Sequence, residues 1–129
     1  MDYARTQHEE YLRMMDQVGE HWLAVFRNDA AFWSTVYWDL FTKLWRVGGE
    51  VRKTDALRYI TTVKSPHTAG KYLETAIRRG FIEEHDNPAD ARSKLVGLAP
   101  DFRVRLDTFF DAAVGEMCRS AKRVALPSD

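Results

Sequence analysis

Cysteine is nearly absent from this sequence, and its scarcity excludes two kinds of structure. Cys118 is the single cysteine in 129 residues, so the chain forms no internal disulfide and has no cysteine-based zinc site. A chain without disulfides suits the reducing cytosol. The sequence therefore predicts a cytoplasmic protein stabilised by an apolar core, to which 45% hydrophobic residues, including many aromatic ones, contribute.

Long apolar runs are also missing. No stretch approaches the roughly 18 consecutive apolar residues that a membrane helix needs, and the N-terminal segment has no apolar region typical of a signal peptide. We therefore expect no membrane contact. A length of 129 residues lies in the usual range of one domain, which predicts a single domain over residues 1–129.

Spacings that support catalysis or metal binding are lacking as well. The four histidines, His8, His21, His67 and His85, include no pair four residues apart, the spacing that places two metal ligands on one helix face. No glycine-rich phosphate loop and no Ser–His–Asp arrangement stands out. The sequence predicts no catalytic residue, no metal site and no cofactor, so we expect a protein that is not an enzyme.

Net charge is zero overall, but the charges are unevenly distributed along the chain. Residues 51–82 carry seven basic and two acidic side chains, a net charge of +5, whereas residues 1–50 and 83–129 have net charges of −3 and −2. A neutral chain is no polycation, yet a local basic patch is sufficient for binding nucleic acid. A solvated helix surface is the alternative explanation for the basic middle segment.

Apolar periodicity predicts long helices at both ends of the chain. Over residues 3–26, apolar side chains recur every three or four positions, as on one helix face: Tyr11, Met14, Met15, Val18, Trp22 and Phe26. A second helix is predicted over residues 30–46, capped by Asn28 or Asp29 and buried on several sides because Trp33, Tyr37 and Trp38 widen its apolar surface. A last helix begins at Pro100.

The middle of the chain predicts shorter elements. A short helix begins at Lys53 or Thr54, and Ser65 followed by Pro66 is typical of a capped helix start. This helix ends at Gly80, after which residues 81–84 and 94–98 form a hairpin. The order of elements predicts a mainly α fold with a small β hairpin: a winged helix-turn-helix core at residues 30–98, flanked by long dimerisation helices within residues 1–28 and 100–125.

The hairpin carries the most specific pattern in the chain. R-R-G-F-I at residues 78–82 precedes D-N-P-A-D-A-R at residues 86–92, and the return strand ends in V-G-L at residues 96–98. Together with L-W-R-V-G-G at residues 44–49 and S-P-H-T-A-G-K-Y-L at residues 65–73, this series resembles the DNA-binding core of the MarR family of bacterial winged helix-turn-helix transcriptional regulators. The motifs cover about half of the chain.

This resemblance implies a sequence-specific transcriptional regulator that binds palindromic operators in double-stranded DNA as a homodimer. Because some relatives respond to phenols, it also implies a small aromatic effector. The second helix of a helix-turn-helix contacts the major groove with its N-terminal residues. We therefore predict DNA contacts by a group of polar side chains at that helix start: Lys64, Ser65, His67, Thr68 and Lys71.

The wing supplies the remaining predicted contacts. The resemblance implies that Arg92 enters the minor groove, where narrow A·T-rich segments attract arginine. Asp90 is predicted to support the wing turn by pairing either with Arg92 or with backbone amides, and Lys94 to add a phosphate contact. An alternative function is a winged-helix protein-interaction module that uses the basic patch for an acidic partner, without sequence-specific DNA binding.

Overall fold

The computed structural model describes residues 2–125, and within them it contains five α-helices, one 3₁₀ turn and three strands. In chain order these are α1 (Arg5–Val25), the 3₁₀ turn (Ala30–Phe32), α2 (Thr35–Val47), β1 (Val51–Arg52), α3 (Lys53–Arg58), α4 (Pro66–Arg78), β2 (Ile82–Asp86), β3 (Lys94–Leu98) and α5 (Pro100–Ala125). The predicted fold class, mainly α with a β hairpin, is confirmed. Met1 and residues 126–129, the ends of the predicted domain, lie outside the described residues.

The described chain divides into two compact units. The helical unit contains the described residues up to Ala30 and from Arg105 onward, and the winged unit contains Ala31–Val104. The division passes within α5. The single domain predicted over residues 1–129 stays a prediction, because compactness alone does not decide whether two units fold separately.

The winged unit has a three-stranded antiparallel sheet in the order β1-β3-β2. The predicted hairpin is present, with Ile82 opposite Leu98 and Asp86 opposite Lys94. Strand β1, in which Val51 pairs with Val96, was not predicted from the sequence. A strand of two residues is too short to show alternation, so only its pairing with β3 identifies it.

The start of α2 differs from the prediction. Asn28 has a φ of 65° and lies in a turn that follows α1, whereas Ser34 caps α2 by accepting a hydrogen bond from the Tyr37 amide over 3.4 Å. The predicted start of this helix at residue 30 and its cap at Asn28 or Asp29 are therefore wrong, because a 3₁₀ turn and Ser34 intervene, whereas the helix itself is present at Thr35–Val47. Of the residues predicted to widen the buried surface of this helix, Tyr37 is buried, whereas Trp33 and Trp38 are 53% and 43% exposed.

Aromatic rings form the core of the winged unit. Phe41 is fully buried, and its ring centroid lies 4.9 Å from that of Phe102 and 5.5 Å from that of Tyr37. Phe81, at the start of the hairpin, packs edge-on against Phe32 with centroids 5.1 Å apart. This cluster joins α2, the 3₁₀ turn, the hairpin and the first turn of α5, and so fixes the sheet relative to the helices of this unit.

The helical unit pairs α1 with most of α5. Trp22 of α1 packs edge-on against Phe26 and Phe109, with centroid distances of 5.0 and 5.1 Å. The predicted apolar stripe of α1 is buried only at this end, since Tyr11 and Met15 are 53% and 44% exposed.

Charged side chains replace apolar packing at the other end of α1. Glu10 accepts hydrogen bonds from Arg13 (2.9 Å) and from Ser120 of α5 (3.0 Å). Glu116 of α5 pairs with Arg119 at 3.0 Å and with Arg13 at 3.7 Å. The hydrogen bond from Arg13 lowers the pKa of Glu10, and that from Arg119 lowers the pKa of Glu116. Both carboxylates are therefore ionised and paired at neutral pH.

Candidate nucleic-acid interface

Helix α4 begins at the cap that the sequence predicts. The Ser65 hydroxyl accepts a hydrogen bond from the Thr68 amide over 3.4 Å, and Pro66 occupies the first turn. Proline suits this position because the first amides of a helix have no carbonyl partner within it. Gly80 follows α4 with a φ of 80°, a conformation that favours glycine and that turns the chain into β2.

The inner face of α4 is fixed by packing and by one side-chain hydrogen bond. Ala69, Leu73 and Ala76 are buried at spacings of three and four. The Tyr37 hydroxyl of α2 donates to the Tyr72 carbonyl over 3.2 Å, and burial raises the pKa of Tyr37, so the phenol stays protonated. The orientation of α4 within the winged unit is thus determined, and its opposite face is directed to solvent.

The outer face of α4 carries a basic stripe. His67, Lys71, Glu74 and Arg78 lie at positions four, three and four apart, which places them on one side of the helix. All four are exposed, and with Gly70 and Thr75 they line an open groove. Three nitrogen-bearing side chains against one carboxylate make this stripe a surface suited to an anion.

The wing turn between β2 and β3 is closed by short hydrogen bonds. The Asn87 side-chain carbonyl accepts from the Ala89 amide over 3.0 Å, and Asp90 accepts from the Arg92 amide over 3.0 Å. Asp90 was predicted to pair either with Arg92 or with backbone amides, and in the structure it accepts from a backbone amide. The Arg92 side chain is exposed, and its guanidinium forms no ion pair with any residue from 2 to 125.

Three solved structures share this arrangement. The chain is similar to a MarR family transcriptional regulator from Streptomyces coelicolor in complex with DNA, at 17% identity and a TM-score of 0.54, over 92% of this chain and 73% of that one. The fold is that of the MarR-family regulators. The resemblance predicted from the motifs is thereby confirmed as a shared fold.

Two other MarR structures also share the fold of this chain. A mutant MarR from E. coli complexed with operator DNA matches at 17% identity and a TM-score of 0.53, over 93% of this chain and 77% of that one. A putative MarR-like transcription regulator from Bacillus cereus matches at 17% identity and a TM-score of 0.50, over 88% and 81%. No family model and no curated protein matches the sequence.

On the MarR fold, the side chains predicted at the helix start are all accessible to solvent. Lys64, Ser65, His67, Thr68 and Lys71 are all exposed at the start of α4. Within the described part of the chain, neither Lys64 nor Lys71 pairs with a carboxylate. The Ser65 hydroxyl serves as the cap, so its acceptor is already engaged by the Thr68 amide.

Lys94 differs from the other predicted cations. Its ammonium group pairs with Asp86 across the hairpin, and this hydrogen bond raises the pKa of Lys94 and lowers that of Asp86. A phosphate contact by Lys94 therefore requires that this pair open or be shared. The contact stays a prediction.

One exposed basic residue of α4 was not among the predicted DNA contacts. Arg78 is exposed on the same stripe as Lys71, seven positions further along α4, and its guanidinium donates to the Thr75 hydroxyl over 3.3 Å. Its neighbour Arg79 instead lies over the rings of Phe32 and Phe81, 5.0 and 5.8 Å from their centroids. The spacing from Lys71 is the signal that identifies Arg78 and not Arg79.

Three further findings concern metal ligands, the single cysteine and membrane-spanning helices. Among the described residues, no group of three or more histidine, cysteine, aspartate or glutamate side chains could hold a metal ion. Cys118 is exposed on α5. Over the same residues, no helix combines the length and the apolar character needed to cross a membrane.

Proposed function

We propose that this protein is a cytoplasmic transcriptional regulator that binds palindromic operators in double-stranded DNA as a homodimer, and that it is not an enzyme. The observation that carries the proposal is the set of three cations that a MarR fold exposes here, Lys64 and Lys71 at the start of α4 and Arg92 in the wing. Their cationic groups are exposed and have no carboxylate partner among residues 2–125. Unpaired cations at a helix start and at a wing tip suit phosphates and a narrow groove.

The dimer is supported by apolar side chains that the helical unit leaves in solvent. Tyr11, Leu12 and Met15 of α1 and Val114 and Met117 of α5 are each between 44% and 55% exposed. Exposed apolar patches on helices mark protein interfaces, and a second copy would supply matching patches through two-fold symmetry. Such symmetry would present two copies of α4 to the two half-sites of a palindrome.

The dimer is tested by light scattering after size-exclusion chromatography. We expect twice the chain mass of 15.0 kDa at micromolar concentration. Leu12→Glu should shift the mass toward the monomer, because it places a charge in the apolar interface. Val47→Glu is the matched control, since Val47 is an equally exposed apolar residue of the winged unit. A monomeric wild type contradicts the dimer.

DNA binding is tested by selecting bound sequences from a random pool and then titrating the recovered site. If cations neutralise phosphates, log K should fall with log salt by about 0.9 per phosphate contacted. Lys71→Ala should reduce this slope by about 1 and weaken binding to all sequences alike. Failure to enrich any sequence would favour the alternative function, a winged-helix module for an acidic protein partner.

The small aromatic effector is part of the same proposal and rests on the resemblance to phenol-responsive regulators. Trp33 and Trp38 are exposed indoles of the winged unit, so they serve as reporters for a phenol that binds near them. Titration of the purified protein with phenol, followed by tryptophan fluorescence and by release of the selected DNA, tests the effector. Unchanged fluorescence and unchanged DNA affinity would count against it.

A further inference from the structure

An ion cluster in the winged unit joins three elements of the candidate interface. The Lys53 ammonium, at the first position of α3, lies 2.5 Å from a carboxylate oxygen of Glu74 on α4 and 2.5 Å from one of Glu84 on β2. α4 carries the basic stripe, and β2 is the first strand of the wing. One side chain therefore contacts both parts of the surface to which the proposed function assigns DNA.

The location of the cluster follows from the strand pattern. Ile82 is buried, and Glu84, two residues further along β2, lies on the same face of the sheet because side chains alternate. Lys53 and Glu84 are 29% and 30% exposed at their side chains, and Glu74 is 48% exposed. The cluster thus lies where the apolar core of the winged unit meets solvent, in the angle between α4 and β2.

The cluster keeps Lys53 charged. Burial acts against the ammonium form, but the hydrogen bonds from Lys53 to Glu74 and Glu84 outweigh it and raise the pKa of Lys53. Two carboxylates share this one cation, so removing it would leave two partly buried negative charges facing each other. Glu74 and Glu84 would then repel each other across the angle between α4 and β2.

The cluster also affects the charge of the basic stripe, because Glu74 belongs to both. It is the only acidic residue of α4, and it lies on the basic stripe between Lys71 and Arg78. An unpaired carboxylate at this position would repel a DNA phosphate that the neighbouring cations attract. The bond to Lys53 neutralises Glu74 and draws its carboxylate toward β2.

We propose that Lys53 is a positioning residue that couples α4 to the wing strand and masks Glu74, so that the basic stripe and the wing act on DNA as one surface. The DNA part of this inference rests on the proposed function. The coupling of α4 to β2 is a property of the winged unit alone and is testable without DNA.

The experiment compares Lys53→Met, Lys53→Arg and Arg52→Met with the wild type. Arg52 is the matched control: it is the neighbouring cation, and it pairs locally with Asp55 of α3 at 3.5 Å. Both methionine variants remove one positive charge at nearly the same place, so a loss of general attraction would appear in both. Arginine at position 53 keeps the charge and can reach two carboxylates, so it should rescue.

Hydrogen–deuterium exchange of the free protein tests the coupling. In Lys53→Met, amides of β2 and of the second half of α4 should exchange faster than in the wild type, while Lys53→Arg and Arg52→Met should retain the wild-type pattern. Exchange in α1 should not change. Unchanged exchange in β2 and α4 of Lys53→Met would overturn the coupling.

DNA affinity on the selected site tests the masking. Lys53→Met should weaken binding by about tenfold, within the range of residues that modulate binding without contacting the ligand. Glu74→Gln should then restore affinity in the Lys53→Met background but should not raise it in the wild type, a coupling measured by a double-mutant cycle. Glu84→Gln in the Lys53→Met background relieves the same repulsion but leaves Glu74 charged, so it should restore less affinity than Glu74→Gln; equal rescue by the two substitutions would overturn the masking.

The masking of Glu74 and the coupling of α4 to β2 are overturned by different results. If the wild type binds DNA and Lys53→Met and Glu74→Gln act additively, the masking of Glu74 is overturned although the proposed function stands. If the wild type enriches no DNA sequence, the proposed function fails together with the masking, and the exchange experiment alone decides the coupling of α4 to β2.

Discussion

The helical unit pairs two shielded carboxylates with arginines, whereas the winged unit leaves three cations exposed and without a carboxylate partner among the described residues. In the helical unit, Glu10 and Glu116 are each contacted by arginines, and their side chains are only 14% and 12% exposed. In the winged unit, the cationic groups of Lys64, Lys71 and Arg92 extend into solvent, with no carboxylate partner between residues 2 and 125. Charges of the first kind hold helices together, whereas those of the second kind are available to a partner.

This difference shows why a count of charges is an incomplete guide to a binding surface. The basic segment at residues 51–82 has a net charge of +5, but its seven cations are not equivalent. Lys53 bridges two carboxylates, Arg52 and Arg58 pair with Asp55, and Arg79 lies over aromatic rings. The cations left for a partner in this segment are Lys64, Lys71 and Arg78.

The largest expected effect comes from breaking the core of the winged unit. Phe41→Ala should lower the free energy of unfolding by about 3–5 kcal/mol, because it removes a fully buried ring and leaves a cavity among Tyr37, Phe81 and Phe102. Urea unfolding followed by circular dichroism measures the loss. A loss below about 1 kcal/mol would contradict the packing described for this core.

The corresponding large-to-small substitution in the helical unit tests whether the two units unfold together. Trp22→Ala removes the ring that packs against Phe26 and Phe109. If the two units unfold together, Phe41→Ala and Trp22→Ala should each shift one common transition. Two separate transitions, each moved by only one of the substitutions, would show that the units are independent domains and would contradict the single domain predicted from the length.

Arg92→Ala is expected to have the second-largest effect, and on binding only. It should cost about 1–3 kcal/mol of DNA binding per half-site, more at A·T-rich flanks than at G·C-rich ones. Stability should change by no more than about 0.5 kcal/mol, as for an ordinary surface residue. Anisotropy titrations with the selected DNA and its flank variants measure the loss of affinity and its dependence on the flanking sequence.

Lys94→Ala is the matched control for Arg92→Ala. Both are cations of the wing, but Lys94 pairs with Asp86, so its removal should weaken DNA binding less. Equal losses for the two variants would mean that the Asp86 pair does not restrict Lys94. Equal affinity of the wild type and Arg92→Ala would remove the wing arginine from the proposed interface.

Helix caps provide a smaller effect. Ser65→Ala and Ser34→Ala each remove a hydroxyl that accepts a hydrogen bond from a backbone amide over 3.4 Å. Each substitution should therefore lower the free energy of unfolding by about 1 kcal/mol. Only Ser65 lies at the candidate interface. Ser65→Ala should therefore also weaken DNA binding, whereas Ser34→Ala should leave it unchanged at a concentration where both variants are folded.

The smallest expected effect is the response of the helical unit to acid. Glu10 and Glu116 have pKa values below their ordinary value of 4.5 in the folded state, so the unfolded chain binds protons first as the pH falls. Their contribution to stability is complete above the unfolded pKa and is lost as the pH falls through the folded pKa. Urea midpoints between about pH 7 and pH 3 should therefore decline below about pH 4.5, and less steeply in Glu116→Gln.

Much of the fold could be predicted from local sequence, and the failures have identifiable causes. The pair Ser65 and Pro66 predicted α4 correctly because a cap and an N-terminal proline act on the adjacent backbone alone. The cap at Asn28 or Asp29 was wrong because Ser34 offers the same chemistry five or six residues later. Apolar spacing cannot choose between them, since Trp33 and Trp38 satisfy a helical pattern while remaining exposed.

The candidate site also depends partly on local sequence and partly on tertiary structure. The sequence by itself determined which residue types stand at the start of α4 and at the wing, because turn residues, glycines and the hydroxyl cap specify those local conformations. Only the tertiary structure decided which cations are available, because Lys53 reaches carboxylates 21 and 31 positions away, on α4 and β2. Ion pairing depends on distance in space, and residues far apart in sequence become neighbours only when the core that joins their elements has formed.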